Sequence, residues 1–454
     1  MSIERCGEIT SARAIQEPQV TSPLDAPRPR TLPGIHRLNP SIFYGWYIVA
    51  GSFLVNCVCI GIGFYGQTVF LDALIQENGW SKSSVSGAST LYFITAGLVG
   101  LQVGRVVDRL GPRIPILAGA LTTAVALIAL GFVDHPAELY AVYALLAAGF
   151  AMSSSIPLSS LISHWFTEKR SRAMSWSQTG VSVGGLFFLP LATGLIAREG
   201  ISGATPWLAL SVVGIVPVIT YFVLRSDPKD YGLAPDGAAA PAEAPPAPTT
   251  PTAPPARTAM LSSRFLLLAA AFALILICQT GLAVHHLHLL RVHLDMTTAT
   301  LGIMAIPVGS IVGRLLCGVL ADRIDKRWVT AGLFSTQALA LAGMGLASET
   351  PTLLATSLAF GLTVGAVFMM QSLLVAEFFG LAAFATVFAA LNFVTSLGGG
   401  IGPILVGLLA ERSGSYAFAT PVLSAIALLA SGLVLLVRPI SPPHSREATL
   451  PPSA

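Results

Sequence analysis

Arg314 stands alone as a charge within the apolar stretch 298–321. Its guanidinium stays protonated at physiological pH and presents five N–H donors in a planar fork, the shape that grips a carboxylate bidentately. It precedes Asp322 by eight residues, about 12 Å along a helix at 1.5 Å per residue. If the stretch crosses a bilayer, that depth is near the middle of a core about 30 Å thick, where a charge costs at least about 2.5–3.5 kcal/mol. No other apolar stretch holds an obvious interior partner, because Asp72 and Glu377 both fall at the ends of theirs. An arginine without a fixed counter-ion is predicted to contact a carboxylate-bearing solute. The alternative is a structural arginine satisfied by backbone carbonyls or water.

Three further groups carry potential chemistry. Gly104-x3-Asp108-Arg109-x-Gly111-x-Arg113 and Gly318-x3-Asp322-Arg323 each place a carboxylate and arginines at the end of an apolar stretch. A carboxylate is favoured at a helix N-terminus, so these residues read as a latch between helix bundles, or else as determinants of topology and loop pairing. Histidine as a residue type titrates near neutral pH, which makes His285 and His286 candidates for proton coupling, although histidines near a membrane interface commonly only hydrogen-bond. With His288 they form a cluster that no Cys, Asp or Glu flanks, and no metal site is expected. Asn56, Gln67, Tyr92, Tyr143, Gln178, Gln279 and Asn392 are candidates to line a cavity, each alternatively a helix–helix contact. Four of the five cysteines lie within apolar stretches, where cysteine behaves as a small hydrophobe. A phosphate-binding glycine loop, a Ser/His/Asp set and zinc-ligand spacing are all missing, so neither enzyme activity nor a cofactor is expected.

The elements that must position these residues are legible in composition. Hydrophobic residues make up 54% of the 454-residue chain and charged residues 10%, against roughly 25% charged in a soluble domain. The mean hydropathy, +0.74, excludes a chain whose surface faces water, and the chain reads as an all-α membrane protein. A spanning helix needs about 20 apolar residues, and twelve runs meet that rule: 43–66, 84–106, 114–133, 138–163, 173–197, 206–225, 265–289, 298–321, 328–347, 352–376, 382–410 and 416–437. Residues 226–263 contain nine prolines and read as an extended linker. The expected organisation is a disordered tail over 1–42, a six-helix bundle over 43–225, the linker, a second bundle over 264–438 and a tail over 439–454.

Twenty of the 25 Lys and Arg fall in segments that would share one side of the membrane, four (Lys82, Arg198, Arg291, Arg412) on the other, and Arg314 lies within a run. By the positive-inside rule both termini are cytoplasmic. The two aspartate motifs recur at an offset of 214, and Pro190-x3-Gly194-Leu195-x-Ala197 recurs as Pro403-x3-Gly407-Leu408-x-Ala410 at 213. Two matches at nearly one offset predict a duplicated unit, hence two pseudo-symmetric bundles with a cavity at their interface. The near-balance of basic and acidic residues gives no reason to expect a nucleic-acid partner.

The stretch Gly104 to Arg113 resembles the signature loop of the major facilitator superfamily. Gly318 to Arg327 resembles its second-half counterpart, with Asp325 in place of the expected glycine. Phe43-Tyr44-Gly45-Trp46, Asn78-Gly79-Trp80-Ser81 and His164-Trp165-Phe166 resemble the monocarboxylate transporter and oxalate:formate antiporter branch. The resemblance implies a monomeric, multi-pass protein of the inner (cytoplasmic) membrane that carries a small organic anion by proton symport or exchange. It also implies an anion-binding role for Arg314. Relatives often carry an Asp one turn before that arginine, where this chain has Ser310. Oxalate-type relatives add a lysine in helix eleven, where this chain has Asn392 and no lysine, which favours a monoanion over a dianion. The competing expectation is a transporter of neutral or aromatic compounds, such as vitamin uptake or drug efflux.

Overall fold

The computed structural model describes residues 42–80, 82–237, 256–413 and 418–438. Residues 1–41 of the expected tail 1–42, the expected tail 439–454 and the centre of the linker, 238–255, lie outside the described residues. The spanning helices are α1 (Gly45–Asn78), α2 (Lys82–Leu110), α3 (Arg113–Leu130), α4 (Pro136–Trp165), α5 and α6 (the two arms of Arg170–Phe222), α7 (Ser263–Arg291), α8 (Met296–Leu320), α9 (Lys326–Leu346), α10 (Thr350–Phe379), α11 (Phe384–Ser413) and α12 (Ala419–Leu435). Among the described residues, ten helical segments are long and apolar enough to cross a membrane. Arg170–Phe222 supplies two crossings and the 17-residue α12 one more, which gives the expected twelve.

The corner between α5 and α6 differs from the expected loop over 198–205. Helix continues to both sides of Gly200, whose φ of 69° and ψ of 178° only glycine adopts readily. The freed Ile201 N–H donates to Glu77 Oε1 at 3.0 Å, so one residue makes the turn. Two helix starts are capped by their own aspartates. Asp295 accepts the N–H groups of Thr297 and Thr298 at the start of α8. Asp325, the departure from the family loop, accepts Arg327 N–H at 2.8 Å and starts α9.

Helix α1 packs on α5, α2 on α4 and α3 on α6, while α7 packs on α11, α8 on α10 and α9 on α12. The second set repeats the first with every helix six places on, as a duplicated unit requires. The close pairs rest on glycine: a Cβ at Gly180 or Gly184 would strike the carbonyls of Phe53 and Cys57 in α1, so backbones approach where side chains are absent. Outward faces instead carry large apolar groups, with Leu121, Phe132, Leu186, Leu339 and Leu346 each more than 60% exposed. That distribution suits a lipid-facing surface, and it explains why the chain is apolar throughout.

Regular helix is interrupted in three spans. Gly61–Tyr65 of α1 forms a π-helical turn. Helix α4 breaks at Ser154 (ψ −137°), and α10 breaks between Val364 and Val367. Since α4 and α10 are repeat partners, both halves interrupt the same helix.

The linker ends are more ordered than their composition implies. Pro228–Tyr231 forms a 3-10 turn, and Ala256–Met260 a short helix before α7. Asp236 accepts the N–H groups of Thr167, Glu168 and Lys169 at 2.8, 2.7 and 3.2 Å. The average over 226–263 conceals this capping aspartate.

Candidate functional site

Two seams join the bundles, α2 against α11 and α5 against α8. Along the second seam, Ser310, Arg314 and Gly318 recur every four residues and therefore share one face of α8. Ser175, Gln178 and Ser182 share one face of α5 by the same geometry. Ser175 Oγ donates to the Arg314 carbonyl at 2.7 Å, and Ser182 Oγ lies 3.4 Å from Ser310 Oγ.

Arg314 is 5% exposed. Its Nε donates to the Gly365 carbonyl at 2.7 Å and Nη1 to Ser182 Oγ at 3.2 Å. Gly365 lies at the break in α10, where a carbonyl is released from the helical ladder. The π-helical turn of α1 brings Tyr65 within electrostatic reach of the guanidinium. Both acceptors are neutral, and among the described residues no carboxylate pairs with Arg314. Two of its five N–H donors are thus engaged. Gln178 Nε2, on the α5 face that carries Ser182, is buried without a partner.

The other candidates separate into two groups. Asn56 Nδ2 donates to the Ser177 carbonyl at 3.2 Å, and its Oδ1 has no partner, as is also true of Gln67 Oε1. Tyr92 and Tyr143 donate to the carbonyls of Gly63 and Gln67 at 2.8 and 3.0 Å. They brace the irregular turn of α1 that carries Tyr65. In the C-terminal half, Gln279 is held within a bundle: its Nε2 donates to Gln337 Oε1 at 3.1 Å, which also accepts from Thr363. Asn392 is half-buried beside Phe393, whose ring packs at Gly97 of α2. His286 Nε2 meets Ser357 Oγ at 3.1 Å and its Nδ1 is unpartnered, while His285 Nε2 lies 3.2 Å from the Pro403 carbonyl. The structure therefore brings Arg314 together with α5, α10 and α1, and places the histidines between α7 and its neighbours α10 and α11. Sequence reasoning missed Ser182, Ser175 and Gly365. A Ser-x2-Gln-x3-Ser face on α5 was the available signal.

At the end of the bundles where the aspartate loops lie, each loop grips the opposite half. Asp108 accepts Ala385 N–H at 3.0 Å and Thr386 N–H at 2.8 Å, at the start of α11. A Cβ at Gly104 would sit 2.5 Å from the Ala385 carbonyl, so a glycine lets the helices meet there. In the repeat, Asp322 accepts Ser171 N–H at 3.0 Å at the start of α5. Its other oxygen lies 3.0 Å from Arg172 Nε, without hydrogen-bond alignment. Gly318 packs on Ser175, the counterpart of the Gly104 contact. Each carboxylate caps first-turn N–H groups and sits at the positive end of a helix dipole. Arg113 donates to the carbonyls of Thr220 and Tyr221, and Gly111 takes a φ of 79° at the turn. Arg109 and Arg323 are exposed.

This arrangement agrees with comparisons to known proteins. The sequence model of the Major Facilitator Superfamily matches residues 53–403 and 287–452. Monocarboxylate transporter 13 of Rattus norvegicus is 25% identical over 418 residues, covering 88% of this chain and 91% of that protein. The oxalate:formate antiporter of Oxalobacter formigenes is 29% identical over 180 residues, covering 40% of this chain and 42% of the antiporter, less than half its length. Among solved structures, FucP in its outward conformation superposes with a TM-score of 0.66 at 13% identity, covering 87% of this chain and 100% of FucP. The human organic anion transporter MFSD10 superposes with a TM-score of 0.62 at 16% identity, covering 86% and 99%. At those identities the structural likeness concerns the fold. With twelve spanning helices among the described residues, in two repeat-related bundles, and a family match across most of its length, the chain is a membrane transporter, not an enzyme, and belongs to the major facilitator superfamily.

Proposed function

We propose that this transporter moves a small organic anion, a monocarboxylate, across the cytoplasmic membrane by alternating access, through proton symport or anion exchange. The observation that carries the reading is Arg314, a buried guanidinium at the seam of the bundles whose partners are two neutral oxygens. An unneutralised charge at membrane depth is costly. A carboxylate that displaces the Ser182 hydroxyl offsets the charge and takes up the spare N–H donors. Neutralisation lowers the cost of enclosing the site, so the bundles can rock with their cargo. The similarity to monocarboxylate transporters and an oxalate:formate antiporter supports the same class.

In this reading Asp108 and Asp322 are latches on the cytoplasmic side, where the basic loops would place both termini. With both engaged, the path past Arg314 is closed at that end. The chain would work as a monomer. Ser310, in place of an aspartate beside the arginine, leaves no carboxylate there to carry a proton, and His286 with its open Nδ1 is the candidate for that task. Uptake of lactate, pyruvate, formate and acetate into proteoliposomes, compared between the wild type and Arg314→Gln, tests the assignment. One of these anions should be carried by the wild type and lost in the variant. Equal transport by both proteins would remove Arg314 from the site. Uptake driven by a preloaded anion at equal pH marks exchange, and uptake driven by an acidic exterior marks symport.

A further inference from the structure

A groove of about 520 Å³ opens between α7, α10 and α12 at the end of the molecule that carries the aspartate loops. Arg264, Arg438, Ser263 and Thr258 line its polar part, and Leu267, Phe378, Phe379 and Leu436 its apolar part. Among the described residues neither arginine has an ion pair or a hydrogen bond. The groove holds the first turn of the 29-residue α7, where the N–H groups of Ser263 and Arg264 lack intrahelical acceptors. Two unpaired cations and free backbone donors thus face one space, beside an apolar wall.

The repeat-related corner of the first half is closed by protein. Phe43 packs on Trp165 and Phe166, and Tyr44 donates to the Val223 carbonyl at 2.8 Å. Gly237 of the linker abuts the Phe43 ring. Arg225 stands 213 residues before Arg438, the offset of the duplication, and spends its donors on the carbonyls of Tyr221 and Leu224 at 2.7 and 2.9 Å. In the second half, Arg327 takes the equivalent role at the end of α12, donating to the Val437 carbonyl at 2.9 Å. Among the described residues Arg438 is left unengaged. Duplication made two similar corners, and among the described residues only the first is filled from within.

We infer that the second corner binds the phosphate headgroup of an anionic membrane phospholipid, held by Arg264, Arg438 and the α7 N-terminus, with its acyl chain along Leu267, Phe378 and Leu436. The amphiphilic division of the groove selects a lipid over a free anion. Leu261, Leu266 and Leu436, 72%, 58% and 64% exposed, continue the apolar surface into the surrounding bilayer. Arginine-lined pockets between spans at the basic side of a membrane are suited to such headgroups.

The test is native mass spectrometry of the purified full chain titrated with phosphatidylglycerol or phosphatidylcholine of matched chains. The wild type should retain one phosphatidylglycerol in preference to phosphatidylcholine. The double substitution Arg264→Gln with Arg438→Gln should weaken that binding about thirtyfold, each arginine near the surface counting for about fivefold. If the double variant fails to fold, Ser263→Trp, which fills the groove without touching either charge, should abolish the preference in the same way. Equal retention of both lipids, or unchanged binding in the folded variants, would overturn the inference. So would displacement of the lipid by an equal concentration of inorganic phosphate, which would make the occupant a free anion. Retention of no lipid at all, as a groove filled by the chain's own 439–454 would give, overturns it as well.

Discussion

Replacing Asp108 by alanine removes the two hydrogen bonds, 3.0 and 2.8 Å long, that tie α2 to the first turn of α11. Hydrogen bonds to a charged group contribute about 1.5–3 kcal/mol each when buried, and loss of an N-cap side chain costs about 0.5–2 kcal/mol. Asp108 is only partly buried, so water takes over some of the lost bonding and about 2 kcal/mol is a fair figure. Because the contact joins the two bundles, that loss falls on the closed arrangement alone. The ratio of open to closed at this end should rise about thirtyfold. Spin labels on Lys169 and Arg323, exposed residues on either side of the Asp322–Ser171 contact, report the separation of the halves by pulsed electron resonance. Cys57, Cys59, Cys278 and Cys317 are buried, so labelling is selective once Cys6 is replaced by serine. Asp108→Ala should populate a longer distance, and Asp108→Asn, which keeps an acceptor, a smaller fraction of it. Identical distance distributions in all three proteins would show that these hydrogen bonds do not hold the bundles together.

Gly104→Val should hold α2 away from Ala385, leaving a folded protein by circular dichroism whose transport is lost. Gly200→Ala forces a Cβ into a left-handed φ and should destabilise the α5–α6 corner by about 1–2 kcal/mol, read as a lower melting temperature. Asp236→Ala removes the acceptor for three backbone N–H groups ahead of α5 and should lower the melting temperature, with Asp236→Asn retaining part of the effect. The hydrogen bond from Arg327 holds the Asp325 carboxyl below its ordinary range. Its contribution is therefore complete above about pH 4, the unfolded value, and fades as pH falls through the lower native value. Asp325→Asn should accordingly lower melting at pH 7 and lose its difference from the wild type only in strong acid.

The legible parts of this protein are those that a bilayer imposes. Twelve apolar runs, the 214-residue recurrence of Asp108-Arg109 as Asp322-Arg323, and a solitary Arg314 all survive in a linear reading, because hydropathy and motif spacing are local. The contacts that complete the site are not local. Gly365 matters because α10 breaks there, and nothing in Val364-Gly365-Ala366 distinguishes that break from an ordinary glycine inside a span. Ser182 matters because α5 faces α8 across a seam that exists only once both bundles are assembled. Gln279 and His286 looked alike in sequence as polar residues on one apolar run, yet Gln337 and Ser357 engage them inside the second bundle. Asp236 was hidden by the proline and alanine around it.

The proposed role of Arg314 turns on the negative charge of the cargo, and paired binding measurements address it most directly. Equilibrium binding of lactate and its uncharged isostere lactamide to the purified protein, and of pyruvate with pyruvamide, isolates the contribution of the carboxylate. An acid should bind at least about tenfold more tightly than its amide, as a charge-assisted pair requires, and Arg314→Gln should erase the difference. Equal affinity for acid and amide, or a preference that persists without Arg314, would contradict that role.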